Sequence, residues 1–420
     1  MDTPRKLIVG YDLCEDFTQI SCYSYKTFEP IPICTKEGEE YHPIPTVLCL
    51  KKDTKQWLYG AEAIACAAGG GGILVDQLLT KVGNKAEIEL FQQRITGADL
   101  LEKFLRKSLT LIKNYFPTEI ITKIVVTVRR TEPVIMEQIY DTLALLGLEK
   151  DRAVVMGHSG AYMYYVLNQD KSLWMNDVGL FDFCEEGLRY YQIRMNRKSK
   201  PMIAGLTKTD YTDTLNYDML EQKNINLAYL FDNIANTTLY KQIISTLYFT
   251  GCGFEGGWAD ESIKNLCVGR RVFFGQNLFT KGACYAAKEL SGDQKLKDCI
   301  LLNDEMITTS VNLRVYCDTK FREIPLTVGG ENWYEVNKSI EVIPEGVAEL
   351  EVILKSIMTR DVIREKIILD QFCERPDRMT RLEINLTCKD KSTVIIKVTD
   401  LGFGEIYPKT SDVMEFSIQI

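Results

Sequence analysis

The stretch Leu7-Ile8-Val9-Gly10-Tyr11-Asp12-Leu13-Cys14-Glu15-Asp16 decides the reading of this chain, because a near copy of its core follows. Gly179-Leu180-Phe181-Asp182-Phe183-Cys184-Glu185-Glu186-Gly187 repeats the pattern 170 positions later (182 − 12 = 170). Each copy is an apolar run ending in Asp-apolar-Cys-Glu-acid, which predicts a strand delivering an aspartate to its mouth, followed by a tight loop. Two such units predict two related halves. Loops of this geometry serve phosphate when they offer glycine and hydroxyls. Here they offer carboxylates and thiols.

Working outward, 420 residues exceed what one compact core organises, so two or three domains are expected. A formal net charge of −8 argues against a nucleic-acid partner, since phosphate contacts need clustered Lys and Arg. The basic run Arg189–Lys198 reads as a solvated strand edge. Thirteen cysteines are scattered without C-x-x-C spacing, so neither a zinc ribbon nor a thioredoxin-type motif is supported. The amino-terminal residues show no signal-peptide pattern, and no apolar run approaches the roughly 18 residues of a membrane span. Reduced thiols in a cytoplasmic protein, with no membrane association, are the expectation. The two histidines, His42 and His158, lie in no nucleophile motif, and a His-Glu-x-x-His zinc site is excluded.

The periodicities predict a strand-turn-strand over 7–24 and a hairpin joining 44–50 to 57–60. They also predict helices over 61–68, 100–112, 132–146, 159–167, 226–245 and around 282–287. Gly69–Gly72 reads as a mobile connection, because no Gly-Lys-Ser/Thr follows. Buried strands are expected at 121–128 and 247–254. From about residue 298 the pattern turns to period-two alternation (Leu350/Val352/Leu354, Leu382/Ile384/Leu386, Val394/Ile396/Val398), predicting a β-rich, sandwich-like domain over 297–420. Within it, Arg375-Pro376-Asp377-Arg378-Met379-Thr380-Arg381 offers either a carboxylate-recognising cluster or a turn between strands. Asp400-Leu401-Gly402 reads as a strand exit.

With these motifs in order, the chain resembles the actin, hexokinase and DnaK-type chaperone superfamily. It is also similar to a bacterial family of DnaK-like proteins of unknown function. Ile44-Pro45-Thr46-Val47, Gly60-Ala61-Glu62-Ala63, Val125-Val126-Thr127-Val128, Thr250-Gly251-Cys252-Gly253-Phe254 and Lys281-Gly282-Ala283-Cys284 carry the likeness across about residues 7–290. The resemblance implies an α/β, actin-like two-lobed ATPase-domain fold with ribonuclease H-like halves over 1–296. It places Asp12 and Asp182 at Mg²⁺-bound water and Lys81 at the phosphate-directed lysine, the candidate catalytic residues. Gly10, Cys14, Glu15, Gly187, Gly251 and Gly253 fall at nucleotide-contacting positions, and Asp12, Asp182 and Glu185 are the metal candidates. Trp258 offers stacking on a base or packing beneath the turn.

The departures from the pattern matter as much. Cys14-Glu15-Asp16 stands where the chaperones carry Gly-Thr-Thr, and Cys184-Glu185-Glu186-Gly187 where they carry Gly-Gly-Gly-Thr. Gly157-His158-Ser159 replaces the Glu-Pro-Thr whose carboxylate positions water. For the four loop carboxylates three readings stand: a solvated lining, a Mg²⁺ or Ca²⁺ site, or a docking surface for a basic segment. Cys14 and Cys184 are either two buried thiols or a facing redox pair. The expectation is therefore a DnaK-like protein with a degenerate nucleotide cleft, a non-catalytic chaperone-like or scaffold protein with a protein or peptide partner. An active Mg-ATP-dependent chaperone, ATPase or phosphotransferase and an actin-like assembly component are the alternatives. ATP or ADP with Mg²⁺, a divalent cation alone, and no cofactor are the corresponding cofactor readings.

Overall fold

The computed structural model describes residues 6–35, 43–222, 224–346, 349–369 and 375–420. His42 lies outside the described residues. The chain is mixed α/β and divides into two units, residues 1–196 with 205–299, and residues 197–204 with 300–420.

In the first unit, Lys6–Leu13 is buried from Leu7 onward, as a central strand with both faces covered should be. It runs parallel to Ile120–Val128 and antiparallel to Phe17–Ser24, and the sheet order is Ala153–Gly157, Ile120–Val128, Lys6–Leu13, Phe17–Ser24, Glu29–Pro32. Asp177–Cys184 organises a second sheet in the same way. It is parallel to Ile244–Thr250 and antiparallel to Gly187–Asn196, in the order Arg271–Phe274, Ile244–Thr250, Asp177–Cys184, Gly187–Asn196, Met202–Asp210. The correspondence reaches single residues. Asp12 lies in register with Thr127, and Asp182 with Thr250.

Two helices line the inner faces of these sheets. Leu278–Lys288 packs on the first so closely that a Cβ on Gly10 would lie 2.3 Å from the Cys284 nitrogen and the Thr280 carbonyl oxygen. His158–Asn168 meets the second through Tyr162, whose ring contacts Tyr191 and Tyr248. The helices cross at Gly282, where a Cβ would lie 2.1 Å from the Ala161 carbonyl oxygen. These close contacts fix where the strand mouths and the His158 helix end meet.

The helix expected over 100–112 spans Gly97–Tyr115 and opens with a capping box of Thr96 and Asp99. That expected over 226–245 stops at Leu239, since Lys241 takes a positive φ and Ile244 already belongs to a strand. Within the polar stretch 198–225 lies a strand that its sequence did not announce, Met202–Asp210. Gly69–Gly71 form an exposed, hydrogen-bonded turn after the helix Gly60–Ala68, and Gly72 starts a strand, where a Cβ would lie 2.3 Å from the Cys49 sulfur. The Arg189–Lys198 run is no edge either, because Gly187–Asn196 is flanked by strands on both sides.

The second unit holds two four-stranded sheets. One is Lys320–Thr327, Thr309–Cys317, Glu349–Ser356, Val362–Ile368; the other is Asn337–Val342, Leu382–Asp390, Thr393–Asp400, Val413–Gln419. All their pairings are antiparallel. A single core draws from both, with Val311, Val352 and Leu354 of one and Ile384, Ile396 and Val398 of the other. Among the described residues, no helix is long and apolar enough to cross a membrane.

Candidate functional site

The mouths of the two leading strands open into one small cavity. Its lining includes Asp12, Cys14, Asp16, Arg129, Asp182, Cys184, Gly251 and Cys252, and its volume is about 50 Å³. Strand geometry explains why these residues meet. Asp12 and Asp182 end parallel-paired strands, so the segments after Thr127 and Thr250 emerge at the same end.

Arg129 is the residue that organises the cavity, and its position two residues beyond Thr127 brings it there. Its side chain is 8% exposed and Asp182 is 1% exposed, yet the closest approach, Nε to Asp182 Oδ2, is 3.8 Å. Nη1 lies 4.0 Å from Asp16 Oδ1. These are ion pairs without hydrogen bonds: Arg129 Nε and Nη1 and both Asp182 oxygens lack a hydrogen-bond partner. Burial opposes the guanidinium's charge, but the surrounding acidic groups, Cys184, Cys14, Asp182 and Glu186, outweigh it and raise the Arg129 pKa further. The guanidinium is a fixed cation inside the acidic mouth.

Beside it, His158 begins the helix His158–Asn168 and stacks on Phe279 at 3.8 Å. Its Nε2 lies 2.8 Å from Asp12 Oδ1 and 3.6 Å from Cys14 Sγ, and the sulfur lies 3.4 Å from the same aspartate oxygen. Asp12, Cys14 and His158 are all buried and form a group whose ligating atoms lie within 4.8 Å of one another. Burial pushes the Cys14 thiol well above its ordinary value, with Asp12 adding to the shift. Burial raises Cys184 as well. Neither is a ready thiolate nucleophile, and both are free cysteines.

The remaining candidates are distributed differently from the sequence expectation. Glu15 turns away from the cavity and accepts hydrogen bonds from the Leu79 and Thr80 N–H groups (3.1 and 3.0 Å) and from the Thr80 hydroxyl (3.0 Å). It serves as an N-terminal cap for Leu78–Gly83, supplied from a distant loop. Lys81 does not line the cavity; its Nζ donates to the Asp76 carbonyl (2.6 Å) and lies 3.7 Å from the Asp76 carboxylate. Glu185 is exposed, with partial desolvation and then the Asp16 charge raising its pKa, and Glu186 pairs with Arg189 at 3.2 Å. Asp12, Asp182 and Glu185 therefore do not form a common ligand set. Among the described residues, the group that converges contains only the first of them.

The glycines have packing reasons. Gly10 admits the Leu278–Lys288 helix, and a Cβ at Gly187, at φ +104°, would lie 2.2 Å from the Thr212 hydroxyl. Gly251, at φ +99°, sits where a Cβ would lie 2.0 Å from the Phe183 carbonyl oxygen, and one on Gly253 would strike the Phe183 ring at 2.5 Å. Trp258 packs beneath the turn, donating from its indole N–H to the Gly253 carbonyl (3.0 Å) and stacking on Phe254.

Arg129 and the role of His158 escaped the sequence reading. The available signal was charge balance: a strand-end Arg129-Arg130 pair in a chain whose neighbouring loops carry uncompensated carboxylates. In the second unit, Arg375, from the arginine cluster, and Asp400, from the strand exit, are partners. Arg375 donates to both Asp400 oxygens at 2.9 and 2.6 Å.

No curated protein matches the chain. Residues 306–420 match a domain described as "Domain of unknown function (DUF8552)". Residues 29–304 match "Family of unknown function (DUF5716) C-terminal", a segment that contains Arg129, His158 and Asp182 and begins after the Asp12 loop. Covering more than half of the chain, that match identifies the protein as a member of the DUF5716 C-terminal family.

Proposed function

We propose that this protein is a non-catalytic, chaperone-like or scaffold protein built on an actin/DnaK-type two-lobed domain whose nucleotide cleft is closed, joined to a β-sandwich-like domain that receives a protein or peptide partner. The two-lobed assignment is supported by the shared strand order of the two sheets and by the matching Asp12–Thr127 and Asp182–Thr250 registers. The sandwich assignment is supported by one core drawing on both antiparallel sheets. A cytoplasmic location accords with the absence of disulfides among the described residues.

The observation that carries the closed cleft is Arg129. Ligand pockets have volumes of roughly 300 Å³ or more, whereas the cavity here is about 50 Å³, room for a few water molecules at roughly 10–15 Å³ each. Its lining includes a guanidinium paired at 3.8 and 4.0 Å with Asp182 and Asp16. Mg-nucleotide therefore does not fit these residues.

Thermal unfolding of the full chain with ATP or ADP and Mg²⁺ tests this. No shift is expected. Saturation a hundredfold above a dissociation constant would add about 2.7 kcal/mol, and a shift of that size, or a steady-state ATPase rate abolished by Asp12→Asn, would overturn the closed-cleft reading.

A further inference from the structure

We infer that Asp12, Cys14 and His158 form a zinc-binding site, with one coordination position facing the cavity. The inference stands apart from the chaperone-like reading above, because a cleft closed to nucleotide either binds or refuses a single ion.

The geometry argues against a nucleophilic relay and for ligands around a common centre. A Cys-His-Asp relay needs sulfur at one imidazole nitrogen and carboxylate at the other. Here Asp12 Oδ1 and Cys14 Sγ both approach Nε2, while Nδ1 has no hydrogen-bond partner. Tetrahedral zinc, with Zn–S about 2.3 Å and Zn–N and Zn–O about 2.0 Å, separates sulfur from its nitrogen or oxygen neighbour by about 3.5 Å. It separates nitrogen from oxygen by about 3.3 Å. The corresponding edges are 3.6, 3.4 and 2.8 Å. Only the Asp12–His158 edge must open, by about half an ångström, for the ion to replace the proton between them.

The donor set selects the metal. Mg²⁺ and Ca²⁺ take oxygen ligands, whereas one thiolate, one imidazole and one carboxylate suit zinc. Charge points the same way. Asp12, Asp16 and Asp182 bring three carboxylates to this cavity against the one guanidinium of Arg129. Asp182 supplies an independent sign of a ligand: it is 1% exposed, lines the cavity beside Asp12 and Cys14, and neither of its oxygens has a hydrogen-bond donor. A zinc-bound water in the fourth position would be a donor within the same small space. On binding, the ion displaces the Cys14 thiol proton to solvent, and the proton between Asp12 and His158 moves to Nδ1, which leaves a neutral imidazole as ligand.

The test uses the full chain stripped by chelator and titrated with Co²⁺, then with Zn²⁺. A thiolate-to-cobalt charge-transfer band saturating at one equivalent and bleached by Zn²⁺ is expected. Cys14→Ser should abolish the band and weaken Zn²⁺ binding by at least about 100-fold, whereas Cys184→Ser should leave both intact. Should Cys14→Ser fail to fold, zinc-edge X-ray absorption on the unaltered chain decides: one sulfur per zinc at about 2.3 Å with nitrogen and oxygen neighbours is expected. No band, a band that survives Cys14→Ser, or a sulfur count other than one would overturn the site. The last would point to adventitious capture at exposed cysteines such as Cys267 and Cys317.

Discussion

Two buried arginine–aspartate pairs, one in each unit, use the same two side chains to opposite ends. Arg375 and Asp400 are 5% and 2% exposed and meet bidentately. Asp400 also accepts from the Gly402 N–H, the Thr410 N–H and the Thr410 hydroxyl. Arg129 and Asp182 are comparably buried, but they stand 3.8 Å apart and neither Asp182 oxygen has a donor. Desolvating an ion pair is costly, and only complete hydrogen bonding offsets that cost. The saturated pair is therefore architecture, clamping the exit of Thr393–Asp400. The unsaturated pair has hydrogen-bonding capacity to spare, beside the only converging metal-type ligand group among the described residues. Burial and charge alone do not mark a functional site; unused bonding capacity around a cavity does.

The largest effect should come from breaking the saturated pair. Asp400→Ala leaves Arg375 charged and buried, and is expected to destabilise the second unit by about 3–5 kcal/mol. Hydrogen exchange on Leu382–Asp390 and Thr393–Asp400 reads this locally. A loss below about 1 kcal/mol would remove the distinction between the pairs.

A sharper form replaces both partners. Arg129→Met with Asp182→Asn deletes an ion pair without a hydrogen bond, and should change unfolding free energy by no more than about 1 kcal/mol. Arg375→Met with Asp400→Asn disturbs the Gly402 and Thr410 bonds and should cost about 3 kcal/mol. Equal costs in denaturant titrations would break the comparison.

The pH dependence should follow the same line. Burial alone would raise the Asp400 carboxyl, but the Arg375 hydrogen bonds, the Gly402 and Thr410 N–H groups and the Thr410 hydroxyl hold it well below the usual carboxylate range. Its folded pKa is thus lower than its unfolded value of about 3.9. Its stabilising contribution is fully present above that value and is lost as pH falls toward the folded pKa. The stability gap between the natural chain and Asp400→Asn should accordingly narrow from pH 6 to pH 3. A constant gap across that range would show that ionisation is not its source.

The smallest effect concerns Glu15, a loop acid that the sequence places with the cavity and the structure assigns to a helix. Glu15→Ala should cost about 1 kcal/mol, as for a lost cap. It should leave the cobalt band described above unchanged. Loss of that band would return Glu15 to the site.

Particular residues show how far the sequence reaches. The Asp12 and Asp182 loops are legible as a pair because strand-ending aspartates leave a local pattern, and the alternation at Leu382–Leu386 and Val394–Val398 announces its sheet because period two is a backbone property. The helix expected over 100–112 was equally plain from its apolar spacing, although the Thr96–Asp99 cap that carries its start to Gly97 was not read. Less legible were Met202–Asp210, whose polar residues carry no alternation, and the end of the 227–239 helix, where apolar Ile243 and Ile244 imitate a continuing face.

The amino-acid sequence by itself thus determined that two loops rich in acid and thiol follow two like strands, and that a β-rich region comes after them. Only the tertiary structure decided which carboxylate does what. Glu15 went to a helix, Glu186 to Arg189, Asp182 to Arg129, and Asp12 to Cys14 and His158. The physical reason is reach: the register of parallel strands brings Arg129 to a residue 53 positions away (182 − 129 = 53) and His158 to one 146 away. Coulombic and ligand interactions act through ångströms, and sequence separation says nothing about those.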